Sequence, residues 1–350
     1  VYTLLLCFMG RICVLCKLKP CVLKKKYKII LNWIIGPILF AWLSVSIYKQ
    51  VTEQQNLPQA WQAIKASFNT GEKWYLLSVV LLMFVNWGLE ARKWQFLVRN
   101  IQQLSFWRAY KAIFTGQAVA LNTVNSVGEY VGRVMYLEEG NRLRSVAVSL
   151  VGSFSQIIVT MVLGIAGLVF LNLGFIDATH HLQGVSVFWL KGLLYLLSFG
   201  TVVLILIYFN LSWLTLLAEK IPFVARYRYL VEQLENFHNK ELTRILLLSF
   251  IRYIVFVVQY LLLLRFFHVQ ANVMQLAWMV CIYFLVLAVV PTIPVAELGL
   301  RGEAGKQLFG LLSTNTLGIL FTAAFIWFIN RAVPAVAGSL FILGVKLFKK

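Results

Sequence analysis

Two short segments hold the side chains most able to do chemistry. In Asn122-Thr123-Val124-Asn125-Ser126-Val127-Gly128-Glu129-Tyr130-Val131-Gly132-Arg133, a carboxylate precedes a guanidinium by four residues. In Pro291-Thr292-Ile293-Pro294-Val295-Ala296-Glu297-Leu298-Gly299-Leu300-Arg301 the same spacing returns. With one gap, both read as a helix breaker, Thr, a β-branched residue, a breaker, then Glu with Arg four residues on. On a soluble surface such a pair is ordinary helix stabilisation. Here the flanking residues are apolar, and a charge at the centre of a membrane helix costs about 2.5 to 3.5 kcal/mol, so idle ion pairs are not expected. Arg252 and Arg331, the latter beside Asn330, also fall inside apolar runs, as do Asn86, Gln156 and Gln259. Amides at such depth commonly bridge helices, and Arg near a span end can snorkel, but Arg331 lies too deep for that. Together Arg133, Arg252, Arg301 and Arg331 suit a phosphate or other anion, with Glu129 and Glu297 available to balance charge or to bind a cationic headgroup or proton. Glu90, followed by Arg92 and Lys93, reads instead as an anchor at the cytoplasmic edge.

The elements that must position these residues are membrane helices. Of 350 residues, 60% are hydrophobic and 13% are charged, about half the charge share of a soluble domain. Apolar runs long enough to cross about 30 Å of hydrocarbon predict spans at 29–47, 74–91, 146–171, 189–209, 245–264 and 316–343. The net charge of +19 is distributed by topology. Lys and Arg crowd the tail before the first span, residues 92–111, Arg142 and Arg144, residues 210–244 and the C-terminal tail, which places both termini in the cytoplasm of a bacterial inner membrane. The basic surplus then meets anionic lipid, and nucleic acid is not an expected partner.

Ala112 to Leu121 and Ala277 to Val290 do not fit as spans, because the chain must leave each on the side from which it entered. They are expected to be re-entrant hairpins, tolerated where protein or a wet cavity satisfies their backbone. Each follows two spans and precedes one, so 29–171 and 189–343 form an inverted-topology repeat, with interrupted segments pointing to a midplane site. The expected fold is all-α integral membrane, about six spans plus two hairpins, or eight or more spans if the hairpins cross. Residues 1–28 form a cytoplasmic tail, with a mis-assigned translation start expected within the first 22 or so. Residues 172–188 form an outer loop, 210–243 an amphipathic interfacial segment, and 344–350 a basic tail.

Other chemistry lacks its residues. Cys13 and Cys16 have no second ligand pair at zinc spacing, and His180, His181, His238 and His268 show no metal-ligand pattern. Phosphate-binding loops, dinucleotide fingerprints and nucleophile elbows are missing, so no cofactor is expected and any uphill movement would draw on the proton motive force or a partner.

The hydrophilic turn with Asn122, Asn125, Gly128 and Glu129, the basic linker with Arg142 and Arg144, and Pro-Thr-x-Pro followed by Glu-x-Gly-x-Arg at 291–301 resemble the transmembrane region of lysylphosphatidylglycerol synthases, the bacterial multiple peptide resistance factors. The resemblance covers roughly 25 to 345. It implies an integral domain that translocates an aminoacylated lipid, while a separate soluble domain performs synthesis. No stretch of these residues could form that domain, so synthase activity is not expected of them. By position, Asn122, Asn125, Glu129, Arg133, Pro291, Pro294, Glu297 and Arg301 become the expected substrate-binding residues, joined by Arg252 and Arg331. The expected function is a lipid translocase acting on phospholipids with anionic or aminoacylated headgroups, with a homo-oligomer or an envelope-synthesis enzyme as possible partner. Two rivals are a small-solute or ion-coupled transporter and a non-transporting partner of an envelope lipid or glycan synthase.

Overall fold

The computed structural model describes residues 72–121, 123, 126–174, 187–211, 237–290 and 294–343, with Val45, Gln62 and Leu234 singly. The elements in chain order are α1 (Lys73–Val98), α2 (Phe106–Ala120), α3 (Gly128–Val134), a 3-10 turn at Glu139–Asn141, α4 (Arg142–Gly174) and α5 (Val187–Phe209). There follow α6 (Asn239–Phe266), α7 (Val273–Val289), α8 (Pro294–Phe309), α9 (Thr316–Trp327), a π-turn at Phe328–Ala332 and α10 (Val333–Leu343). No strand occurs among the described residues.

The long helices bury polar residues and expose apolar ones. On α1 the buried stripe runs Val79, Met83, Asn86, Glu90, Lys93 and Leu97 at helical spacing, while Leu77, Leu81, Phe84 and Val85 face outward. On α6 the inward stripe includes Ser249, Tyr253, Gln259 and Tyr260, and Leu247, Phe250, Ile254 and Val258 are exposed. That polarity fits a hydrocarbon surround, where outward apolar groups carry no penalty and inward polar groups must find partners. Among the described residues, five helical stretches are long and apolar enough to cross a membrane: Lys73–Val98, Glu139–Phe170, Gly192–Phe209, Asn239–Phe266 and Thr316–Leu343. They match five of the six expected spans, and the sixth, 29–47, lies outside the described residues apart from Val45, as do all of the N-terminal tail, most of the outer loop, the C-terminal tail and most of 210–243. Residues 239–243 form the first turn of α6. The expected span 74–91 stops short at its charges, whereas α1 continues to Val98, with Lys93 and Trp94 fully inside.

Caps end the helices where the sequence supplies them. Ser105 accepts a hydrogen bond from the Arg108 N–H at 3.4 Å, Asn272 from Met274 at 2.9 Å and Asn315 from Gly318 at 3.0 Å. α6 closes through His268, at φ 57°, with the Val269 N–H donating to the Leu264 carbonyl at 2.9 Å and the His268 N–H to Arg265 at 3.0 Å.

Between the long helices stand two helical hairpins with short limbs. α2 has 15 residues and α3 seven, about 22 and 10 Å of helix; α7 has 17 and α8 16, about 25 and 24 Å. In the first hairpin the limbs run antiparallel at backbone contact. A Cβ added at Gly132 would lie 2.6 Å from the Thr115 carbonyl oxygen, one at Gly116 2.8 Å from the Glu129 carbonyl oxygen, and one at Gly128 2.6 Å from that of Val119. The Gly128-x-x-x-Gly132 face thus lets α3 lie against α2 with no side chain between them. The Thr123 hydroxyl holds the turn, accepting from the Gly128 N–H at 2.8 Å and donating to the Ala120 carbonyl at 3.1 Å.

Packing crosses between the halves in matched pairs. α1 lies along α6, tied by the Gln259 amide donating to the Val79 carbonyl at 2.9 Å. α2 packs on α10, where Gly338 meets the Phe114 backbone, and α4 packs on α7, where Gly164 and Gly167 meet Leu285 and Ile282.

Adding a methyl group at Gly132 forces these backbones apart. Gly132→Ala is expected to destabilise the purified protein by about 1 to 3 kcal/mol in detergent thermal unfolding, whereas Gly200→Ala, which meets nothing within 4 Å, is expected to leave the midpoint unchanged.

Candidate functional site

Glu90 is the centre of a buried ion cluster, not the interfacial anchor that its neighbours Arg92 and Lys93 suggest. It lies on the same stripe of α1 as Asn86 and Lys93, and its side chain is 6% exposed. Its Oε2 lies 2.8 Å from Lys93 Nζ and 3.2 Å from Arg252 Nη1, and its Oε1 accepts from Arg133 Nη2 at 2.8 Å. Lys93 also donates to the Gly152 carbonyl and the Ser249 hydroxyl, both at 3.3 Å, and Ser249 pairs with Ser155 at 2.7 Å. Arg252 donates through Nε to Asn86 Oδ1 at 2.8 Å and through Nη1 to Gln156 Oε1 at 3.3 Å, and lies over the rings of Trp87 and Phe256 at 5.1 and 5.2 Å. Arg133 pairs with Glu129 on its own helix. One carboxylate therefore gathers cations from α1, α3 and α6.

The second centre repeats the motif. Arg301 donates through Nε and Nη2 to Glu297 Oε1 at 3.0 and 2.7 Å. Arg331 approaches the same oxygen at 3.7 Å while donating to Gln117 Oε1 at 3.0 Å and Ser126 Oγ at 3.3 Å. The backbone of the last span places it there. Pro334 has no N–H to offer the Asn330 carbonyl, and the Val333 N–H reaches back five residues to Phe328, so the helix loosens into a π-turn. Asn330 and Arg331 sit in that turn. The Tyr283 hydroxyl donates to the Arg301 carbonyl at 3.1 Å and accepts from Tyr260 at 3.2 Å, tying α6, α7 and α8 together.

Both centres face one cavity of about 430 Å³. Glu129, Arg133, Arg252, Arg301 and Arg331 all line it, as do Glu90, Lys93 and Gln117, and Glu297 stands behind Arg301 and Arg331. The remaining wall is largely apolar, from Trp87, Ile157, Phe256, Phe284, Leu287 and Trp327. Ile157 on α4 and Ala288 on α7 line the cavity and are exposed. Pro294 opens α8, while Asn122, Asn125 and Pro291 lie outside the described residues. Glu90, Lys93 and Gln117 are site residues that sequence reading does not single out. For the first two a signal existed in their i, i+3 placement on the stripe that carries Asn86; Gln117 lies within an apolar run and gives none.

Among the described residues no group of three or more His, Cys, Asp or Glu side chains converges as a metal site would require. A separate cavity of about 390 Å³ lies where α1 begins and α6 ends, lined by Glu72, Arg265 and His268, with Glu72 and His268 3.3 Å apart.

A helical multi-pass membrane protein with a charged, solvent-sized chamber between its helices is the class that this geometry defines. Residues 33–338 match the family described as lysylphosphatidylglycerol synthase TM region, and the chain belongs to that family. Curated proteins give no match.

Glu90→Gln would leave Lys93, Arg133 and Arg252 around a neutral amide. A loss of about 3 to 5 kcal/mol is expected from uncompensated buried charge, read as a lowered thermal midpoint or reduced yield of monodisperse protein, with partial recovery in Glu90→Gln/Arg252→Gln. The exposed Glu303→Gln is the neutral control.

Proposed function

We propose that this protein is a lipid translocase, flippase-like in action, which moves a polar-headgroup phospholipid or related envelope lipid between the leaflets of a bacterial cytoplasmic membrane. The observation that carries the reading is a single cavity lined by charged groups from both hairpins and by a largely apolar remaining wall that includes the exposed Ile157 and Ala288. A headgroup needs the first surface; acyl chains need the second and a lateral way out to lipid. Family membership supports a membrane-lipid role.

The short hairpin limbs support segments that enter the bilayer and turn back, since each falls short of about 30 Å. The exchange of packing partners, α2 on α10 and α4 on α7 about the α1 and α6 pair, supports an inverted repeat whose two halves alternate access to a midplane site. In this reading the protein holds both termini in the cytoplasm, forms no bond to its substrate and acts as a carrier rather than an enzyme.

The test is leaflet-resolved movement of fluorescent anionic and aminoacylated phospholipids in proteoliposomes, comparing wild type with Glu129→Gln and Arg301→Gln. Movement by wild type that both substitutions abolish, with folded protein retained, is the expected result. Unchanged movement in the variants would sink the site assignment. No movement of any lipid by folded wild type would favour a solute transporter or a partner role beside an envelope synthase.

A further inference from the structure

The charge in the cavity does not balance. Among the described residues, Lys93, Arg133, Arg252, Arg301 and Arg331 face the carboxylates Glu90, Glu129 and Glu297, five cations against three, leaving two positive charges over. The surplus is not spread evenly. Glu90 is shared among three cations, whereas Arg331 spends its two nearest contacts on neutral acceptors, Gln117 and Ser126. Beside the stronger attraction of Glu90 and Glu129, Arg252 feels Arg133 and Arg331 as like charges, so guanidinium groups from α3, α6 and the π-turn stand within electrostatic reach of each other. Like charges held together in a low-dielectric interior require an anion between them.

Hydrogen-bonding capacity points the same way. Arg133 Nε, Trp87 Nε1 and Trp327 Nε1 are buried donors without an acceptor among the described residues, each on a side chain that lines the cavity and is at least nine-tenths buried. Against them stands Asn330 Oδ1, with the Tyr253 hydroxyl able to donate or accept and Glu90 Oε2 engaged in its ion pairs. A phosphate offers acceptors only, and planar guanidinium groups present paired donors that match it.

Resting on the translocase reading, we infer that the cavity takes the phosphate of a headgroup with net negative charge, bridged between Arg252 of α6 and Arg331 of the π-turn, and rejects a headgroup of net positive charge. An added ammonium would enter a chamber already two charges positive and find its three carboxylates occupied. Free phosphate shares the recognised chemistry, so the test separates the two sources.

Purified protein in proteoliposomes is given fluorescent phosphatidylglycerol, phosphatidylcholine or the lysyl ester of phosphatidylglycerol, and in parallel its thermal unfolding is followed in detergent with and without inorganic phosphate. Wild type is expected to move phosphatidylglycerol at least about tenfold faster than the other two, a difference that one charge-assisted contact can supply. Arg331→Gln is expected to lose most of that movement and most of the discrimination. Selective movement without stabilisation by phosphate identifies the lipid as the source. If no lipid moves but phosphate raises the wild-type midpoint by roughly 2 °C or more and leaves Arg331→Gln unchanged, the translocase reading fails while the anion site stands, with a soluble anion as its ligand. Lysyl ester moving as fast as phosphatidylglycerol overturns the anion inference and leaves the translocase intact. Neither movement nor stabilisation overturns both.

Discussion

Everything inside this protein is organised around the carboxylate of Glu90. In a membrane interior a cation has no water to turn to, and Lys93, Arg133 and Arg252 are tolerable because one acceptor holds all three at 2.8 to 3.2 Å. The cations come from different elements, so the cluster also sets registers. Arg252 fixes α6 along α1, Arg133 fixes the hairpin limb α3 against α1, and the Lys93 contact to Gly152, with the pairing of Ser249 on α6 to Ser155, draws α4 into the same layer. Apolar packing alone would tolerate sliding between such helices; a shared ion tolerates little.

The glycines make that cluster geometrically accessible. Arg133 reaches Glu90 because α3 lies on α2 at backbone contact, through Gly116, Gly128 and Gly132. Larger residues there would displace α3 and take the guanidinium with it. Gly338 on α10 and Gly164 with Gly167 on α4 serve the same purpose between halves. Close approach at these points leaves a chamber elsewhere, since helices held together at one level need not fill the space at another. The chamber is where the two ion-paired motifs meet.

The sequence displays the fold and the site unequally. Five spans are visible because an apolar run of that length would have no way to hide from water in a soluble fold of 350 residues with so little charge to cover it. The Glu129 and Arg133 pair and the Glu297 and Arg301 pair are legible from spacing, and both form. Glu90 and Lys93 are hidden by a rule that normally works: charge at the end of an apolar run marks the interface. Here the helix runs on for five residues beyond Lys93, and the stripe that carries the charges is inward. Arg133 lies 43 residues from Glu90 along the chain and Arg252 farther still, and no local pattern encodes such a meeting. Arg331 is noticeable by depth, but the turn that directs it depends on a backbone bond to Phe328 that residue types do not announce beyond the presence of Pro334.

That π-turn has a consequence for how the last span can vary. Each residue of an α-helix advances about 100° around the axis, and a π-turn amounts to one residue wound in excess, which resets the phase of everything after it. Before the turn, Phe321 and Phe325 address Phe267 at the end of α6; near its close Arg331 addresses Gln117, and beyond it Gly338 addresses Phe114. Deleting a single residue within 328–332 would restore a regular helix and swing the whole of α10 by that angle, carrying the arginine out of the chamber and the glycine off its partner together. The length of this segment is therefore as constrained as its composition: substitutions can be absorbed one at a time, but a change in residue count is read at once by two interfaces.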